Sequence, residues 1–240
     1  MILAIDTATR WAGLALHDGT AVIAEHGWRC QNNHTREMTP AINQMLARAA
    51  LAPEELHAIA VAIGPGSYTG LRVGLALAKG MALAHHLPLV GVNTLDIIAA
   101  AFGPAEAQLV AVIAAGRRRI TAAGYTWQGE KARRGARKRY HQPGQWQLAW
   151  GPQNDTWDGL LAQLEGPALF AGEIPEEGVK RIYRASRWYD VVAPAFRVRR
   201  AAVLAEIGWQ RHQAGETAAP AELTPIYMRD PAGQASTASN

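Results

Sequence analysis

The 240-residue chain has a single cysteine, Cys30, which excludes an internal disulfide and any multi-cysteine metal site. Charged residues make up only 18% of it, too few for a disordered or coiled-coil protein, while 49% are apolar, enough to fill a real core. No run approaches the roughly 18 uninterrupted apolar residues of a membrane span. The opening MILAIDTATR meets Asp6 with no basic stretch before it, so it reads as part of a soluble cytoplasmic protein and not as a signal peptide. The eight histidines include no pair at helical i, i+4 ligand spacing, and His85-His86 are adjacent and point in different directions. His34, at a helix start, has no such partner. Nothing resembles a Ser/His/Asp triad, a nucleophile elbow or an activated cysteine, so no catalytic residue and no metal ligand is assigned.

The net charge of +4 is unevenly spread. Arg117 to Arg139 carries nine Lys or Arg against one acid, Glu130, a local +8 that leaves −4 for the rest. Tyr125, Trp127 and Tyr140 interleave aromatics with this run, so Arg133, Arg134 and Arg137 are candidate RNA contacts. The same charges would equally protect a solvated hairpin edge.

The patterning predicts an α/β protein, as one unit or as two lobes of about 100 residues each. Ile2–Ile5, Trp11–Leu16 and Ala21–Trp28 read as a strand meander, with Asp18-Gly19 as a hairpin turn. Met38, Ile42, Met45 and Leu46 then mark one face of a helix capped by Asn33 or Thr35. Leu56–Ile63 leads as a strand into GPGSYTGLRVG, Gly64 to Gly74, and a small-residue helix to about His86. Gly74 and Gly80 inside that helix would each cost roughly 1 kcal/mol against alanine, which points to close approach of another backbone. A strand over Leu87–Val92 and a helix from Thr94 complete a first domain, 1–102. A second, 103–229, holds strands near Gln108–Ala115, Ile120–Trp127, Lys138–Trp150 and Ala168–Ala171, and helices over Thr156–Leu164 and Ala195–Gln213. Residues 230–240, small and polar, read as a disordered tail. No close sequence repeat is visible, although both halves begin with an apolar strand.

Two chemical readings attach to these segments. Gly64, Gly66, Ser67, Thr69 and Gly70 gather unpaired backbone N–H groups at a helix start, which can hold a phosphate. Asp6 could then hold a hydrated metal near that phosphate. The alternatives are a strand-to-helix turn capped by Ser67 or Thr69, and a turn aspartate bonding nearby amides. The segment is neither a P-loop nor a dinucleotide fingerprint, for it has no lysine after its second glycine.

Taken in order, MILAIDTAT, NNHTREMTP (32–40), GPGSYTGLRVGLALAKGMAL (64–83), PLVGVNTL (88–95) and PIYMRD (225–230) resemble the bacterial tRNA threonylcarbamoyladenosine biosynthesis protein TsaB family, also described as glycoprotease-like. The resemblance is dense over residues 1–100, thin from 103 to 215, and returns near Tyr227. It implies two actin/Hsp70-like (ASKHA) lobes, each a mixed sheet with flanking helices. It implies a non-catalytic subunit that pairs with a TsaD-type catalytic protein, joined by TsaE, to transfer threonylcarbamoyl to N6 of the adenosine beside the anticodon of tRNA. It assigns no cofactor of the chain's own, with ATP or ADP only in the context of the complex. In the catalytic relative a His-x-x-x-His metal motif follows the strand matching Pro88–Val92, and here those positions are Thr94 and Ile98. The family's pairing helices correspond to Met38–Ala49 and Leu71–His86, so Met38, Ile42, Met45, Leu71, Gly74, Leu75, Ala78 and Met81 are the expected interface, to the partner or to a second copy in a homodimer. Where relatives have an acidic residue in the second lobe's first strand, this chain reads Ile113-Ala114-Ala115-Gly116, which weakens a nucleotide role there. The competing readings are an ATP-dependent kinase of the same fold using Asp6 and the glycine loop, and a metallopeptidase.

Overall fold

A computed structural model of the chain describes residues 1–30, 33–116, 119–129 and 144–228. It divides into two compact units, Met1–Ile97 with Arg199–Tyr227, and Ile98–Val198.

The first unit is built on β1 (Ile2–Asp6), β2 (Trp11–His17), β3 (Val22–Arg29), β4 (Ala58–Gly64) and β5 (Leu89–Asn93), in the order β3-β2-β1-β4-β5. The meander β1–β3 is antiparallel, with the Asp18-Gly19 turn joining β2 to β3, while β4 and β5 run parallel to β1. Central strand β1 is buried along its whole length, because both faces of the sheet are covered. Leu3 and Ile5 meet helices α1 (His34–Arg48) and α2 (Tyr68–His85). Ile2 and Ala4 meet α6 (Ala201–Gln213) on the opposite face. The short helix α3 (Thr94–Ala100) follows β5.

The second unit repeats this plan. Strands β6 (Gln108–Ala114), β7 (Ile120–Gly129), β8 (Gly144–Asp155), β9 (Ala168–Gly172) and β10 (Tyr189–Val191) lie in the order β10-β9-β6-β7-β8. Its first three strands are antiparallel neighbours and the last two are parallel additions on the other side of β6. Helices α4 (Trp157–Gln163) and α5 (Glu176–Ala185) occupy the chain positions that α1 and α2 hold in the first unit. The repeat is one of topology, which residue-by-residue comparison does not display.

Several expectations change. The carboxy-terminal helix packs on the first sheet, so 103–229 is not one continuous second lobe and the first unit is discontinuous. That helix starts at Ala201, after a 3-10 turn at Pro194–Phe196, and not at Ala195. Helix α5 went unread although Glu176 and Glu177 stand in its first turn and Arg184 in its last, as the helix dipole favours. Arg133, Arg134 and Arg137, and the tail 230–240, lie outside the described residues.

The two interior glycines of α2 separate clearly. A Cβ on Gly74 would lie 2.1 Å from Oγ1 of Thr7, whereas one on Gly80 would meet nothing within 4 Å. Gly74→Ala should therefore destabilise the chain by about 1–3 kcal/mol, and Gly80→Ala should stabilise it by about 1 kcal/mol. Urea unfolding of both variants checks this pair of opposite signs.

Candidate interaction site on the first unit

At the end of β1 the chain turns through Asp6–Arg10. Oδ1 of Asp6 accepts the Ala8 N–H at 2.9 Å, and Oδ2 accepts Nε–H of Arg199 at 2.7 Å. The Arg199 guanidinium also donates to Oγ1 of Thr9 at 2.9 Å and to the Trp11 carbonyl at 3.0 Å. In return the Trp11 indole donates to the Arg199 carbonyl at 3.1 Å. Both charged side chains are withdrawn from water, at 0% and 2% exposure. Asp6 is thus a structural anion, neutralised by a residue 193 positions away that no local pattern indicates.

The glycine segment closes onto this turn. Ser67 N–H donates to the Ala8 carbonyl at 2.6 Å, and the Ser67 hydroxyl accepts Gly70 N–H to cap α2. A Cβ on Gly66 would lie 2.2 Å from the Ala8 carbonyl oxygen, and one on Gly70 would lie 2.1 Å from that of Thr7. Gly64, at φ +117°, lies against the Ile226 carbonyl, whose own N–H donates to Ile63 at 2.7 Å. The open faces of Gly64, Gly66 and Gly70 are filled by the chain's own backbone. The phosphate-cradle reading of Asp6, Gly64, Gly66, Ser67 and Gly70 therefore gives way to the capped strand-to-helix turn, with Thr69 exposed on the first turn of α2.

The expected interface residues are also displaced. Met38, Ile42, Met45, Leu71, Gly74, Leu75 and Ala78 are buried inside the unit, and Met81 is partly buried against the same core. The sheet takes that face. What α2 offers outward is the neighbouring stripe Ala76, Gly80 and Leu83, the last 66% exposed, flanked by half-buried Val73 and by Leu77, which packs partly against the core. Since α2 is apolar nearly all round, periodicity alone could not say which stripe the sheet would claim. Between α1 and α2 lies a groove of about 350 Å³. Met38, Val73, Ala76 and Leu77 make its apolar lining, with His34, Thr35, Thr39 and Arg72 as polar members.

His34 stands at the first position of α1 with one ring nitrogen bonded to the Thr9 carbonyl and Nδ1 buried without a partner among the described residues. Burial pushes its pKa down from the ordinary 6.5, only partly offset by Glu37 and Asp6. In the second unit the groove between α4 and α5, about 550 Å³, has a different lining. There Arg181 reaches Asp158 at 2.6 Å and Glu177 at 3.0 Å. Among the described residues no group of three His, Cys, Asp or Glu is placed to hold a metal. No helix among them is long and apolar enough to cross a membrane.

Two sheets of the same strand order, each with helices joining its parallel strands, define an ASKHA-type two-lobe α/β protein. Its fold matches that of YeaZ from Pseudomonas aeruginosa with a TM-score of 0.74, over 95% of this chain and 99% of that one, at 23% identity. The family model for TsaD, tRNA N6-adenosine threonylcarbamoyltransferase, matches residues 28–174, and the chain belongs to that family. Its relatives include the tRNA threonylcarbamoyladenosine biosynthesis protein TsaB of Bacillus subtilis, 42% identical over 99 residues, which are 41% of this chain and 43% of that protein. TsaB of Escherichia coli is 40% identical over 99 residues, 41% of this chain and 42% of its own length. The matched segment thus spans less than half of each curated relative.

Two predictions follow from the buried groups. Arg199→Met should cost about 3–5 kcal/mol of stability by stranding the Asp6 carboxylate. Adding Asp6→Asn should recover part of that loss, as a double-mutant cycle in urea would read. For His34 the native pKa lies below the unfolded one, so the unfolded chain takes up more protons as pH falls through 6.5, and stability drops on the acid side. His57, depressed mainly by the Met1 ammonium, adds to the same slope. His34→Gln should make the decline from about pH 7.5 to about pH 5.5 shallower, measured by unfolding midpoints.

Proposed function

We propose that the chain is a non-catalytic subunit in tRNA threonylcarbamoyladenosine biosynthesis, docking a TsaD-type catalytic protein on the outward face of α1 and α2. Gly80 carries this reading. It costs about 1 kcal/mol in a helix interior, yet among the described residues no side chain, and no backbone outside its own helix, uses the space it leaves. With Val73, Ala76, Leu77 and Leu83 it forms a surface that a second helix can approach closely, beside an apolar groove. Burying the larger of these side chains would contribute about 1.5–3 kcal/mol each before association costs.

The names of the TsaB relatives support the pathway, and the partner class is the one the family resemblance implies. On this reading the protein works in the cytoplasm and a TsaE-type ATPase joins the pair. ATP or ADP enters only with the assembled complex, and tRNA is met through the partner or the basic run 117–139. A homodimer through the same face forms when the partner is absent. The commitment of Asp6 to Arg199 weighs against the kinase alternative.

Co-expression with the TsaD-type protein of the same organism should yield a heterodimer by size-exclusion chromatography. Gly80→Leu should weaken it at least tenfold without lowering the melting temperature of the isolated chain. Two folded proteins that fail to associate would refute the proposal, and an unaffected Gly80→Leu complex would refute the face.

A further inference from the structure

At the amino-terminal end of α2 three side chains lock together. The guanidinium of Arg72 lies 4.1 Å above the ring of Tyr68, and its Nε–H donates to the hydroxyl of Tyr227 at 3.2 Å. The two tyrosine rings are 5.0 Å apart. Tyr227 reaches this place because the preceding residue, Ile226, is pinned by its bond to Ile63 and by its fit over Gly64. Both tyrosines stay open to solvent, at 41% and 39% exposure.

We infer that Arg72 is a pre-set anchor for a carboxylate of the docking protein, an inference that rests on the proposed use of the α1–α2 face. Arginine has five N–H donors, and the Tyr227 bond uses one. The terminal N–H groups remain, in a planar fork that matches the two oxygens of an aspartate or glutamate. No carboxylate among the described residues takes that position, for the only partners of Arg72 are the two tyrosines. The same arginine lines the groove between α1 and α2, so the fork stands where an apolar contact would end and a polar rim begin. An exposed arginine ordinarily gives up much side-chain freedom when it docks, and here stacking and the Tyr227 bond have already removed it. Tyrosine and arginine in this arrangement are also the residue types that dominate interface energetics.

The test titrates the TsaD-type protein of the same organism into the full chain at low and high salt. Arg72→Gln should weaken binding at least tenfold at low salt and remove most of the salt dependence, since the fork and its carboxylate are screened by ions. Arg72→Lys should restore little, because an ammonium cannot pair bidentately. Tyr227→Phe should weaken binding by a smaller factor while keeping the salt dependence. Arg72 is on the surface, so each variant should melt as the wild type does. Unchanged affinity of Arg72→Gln, or an unchanged salt slope, overturns the inference. So does a result in which Arg72→Gln abolishes only self-association, which would make a second copy the occupant. Loss of the complex in Gly80→Leu but not in Arg72→Gln sinks this inference alone, whereas no complex with the wild-type chain sinks the docking face as well.

Discussion

The buried pair of Asp6 and Arg199 sets the conditions for the rest of the first unit. Two charges removed from water are tolerated only when each hydrogen-bonding position is used, and Arg199 spreads its donors over Asp6, Thr9 and the Trp11 carbonyl. The turn they fix presents the Thr7 and Ala8 carbonyls to the glycine segment, which places the first turn of α2. From that start the helix has no freedom to choose its faces: Leu71, Leu75 and Ala78 go to the sheet, and Ala76, Gly80 and Leu83 go outward. Arg199 stands just before α6, which the chain lays across β1 and β4 after the second unit.

Much of this was legible in the sequence where the signal is local. Asp18-Gly19 announces the hairpin, short apolar runs give β1 to β4, and a hydroxyl before a small-residue run, Ser67 or Thr69, marks the α2 cap that Ser67 makes. The order of the motif blocks led to the fold and to the family. What could not be read depends on pairings distant in the chain. Nothing near Asp6 points to Arg199, and nothing near Arg72 points to Tyr227, 155 positions later. Helix α5 was legible and was missed, its charge asymmetry being clearer than its short apolar stripe.

The interface residues show a more general difficulty. In an amphipathic helix the apolar face names the core, but α2 has two apolar faces, and composition ranks them without saying which one the sheet covers. The glycines give the discrimination once their surroundings are known. Gly74 is explained from within by Thr7, and Gly80 has no neighbour among the described residues that would explain it. Leu71, Gly74, Leu75 and Ala78, expected from the sequence on a partner face, belong to the core, and the adjacent stripe is the one that keeps exposed residues.

The repeated strand order is not matched by a repeated surface. Each of the two topologically equivalent halves carries a helix pair, although α4 and α5, with 7 and 10 residues, are far shorter than α1 and α2, with 15 and 18. The halves have diverged in chemistry where they agree in form: between α1 and α2 the lining is largely apolar, while between α4 and α5 Arg181 bridges Asp158 and Glu177. A greasy helix laid on the second pair would have to strip water from those ions. The internal symmetry of the fold is thereby broken at its surface, with a largely apolar groove in the first unit and a charged one in the second.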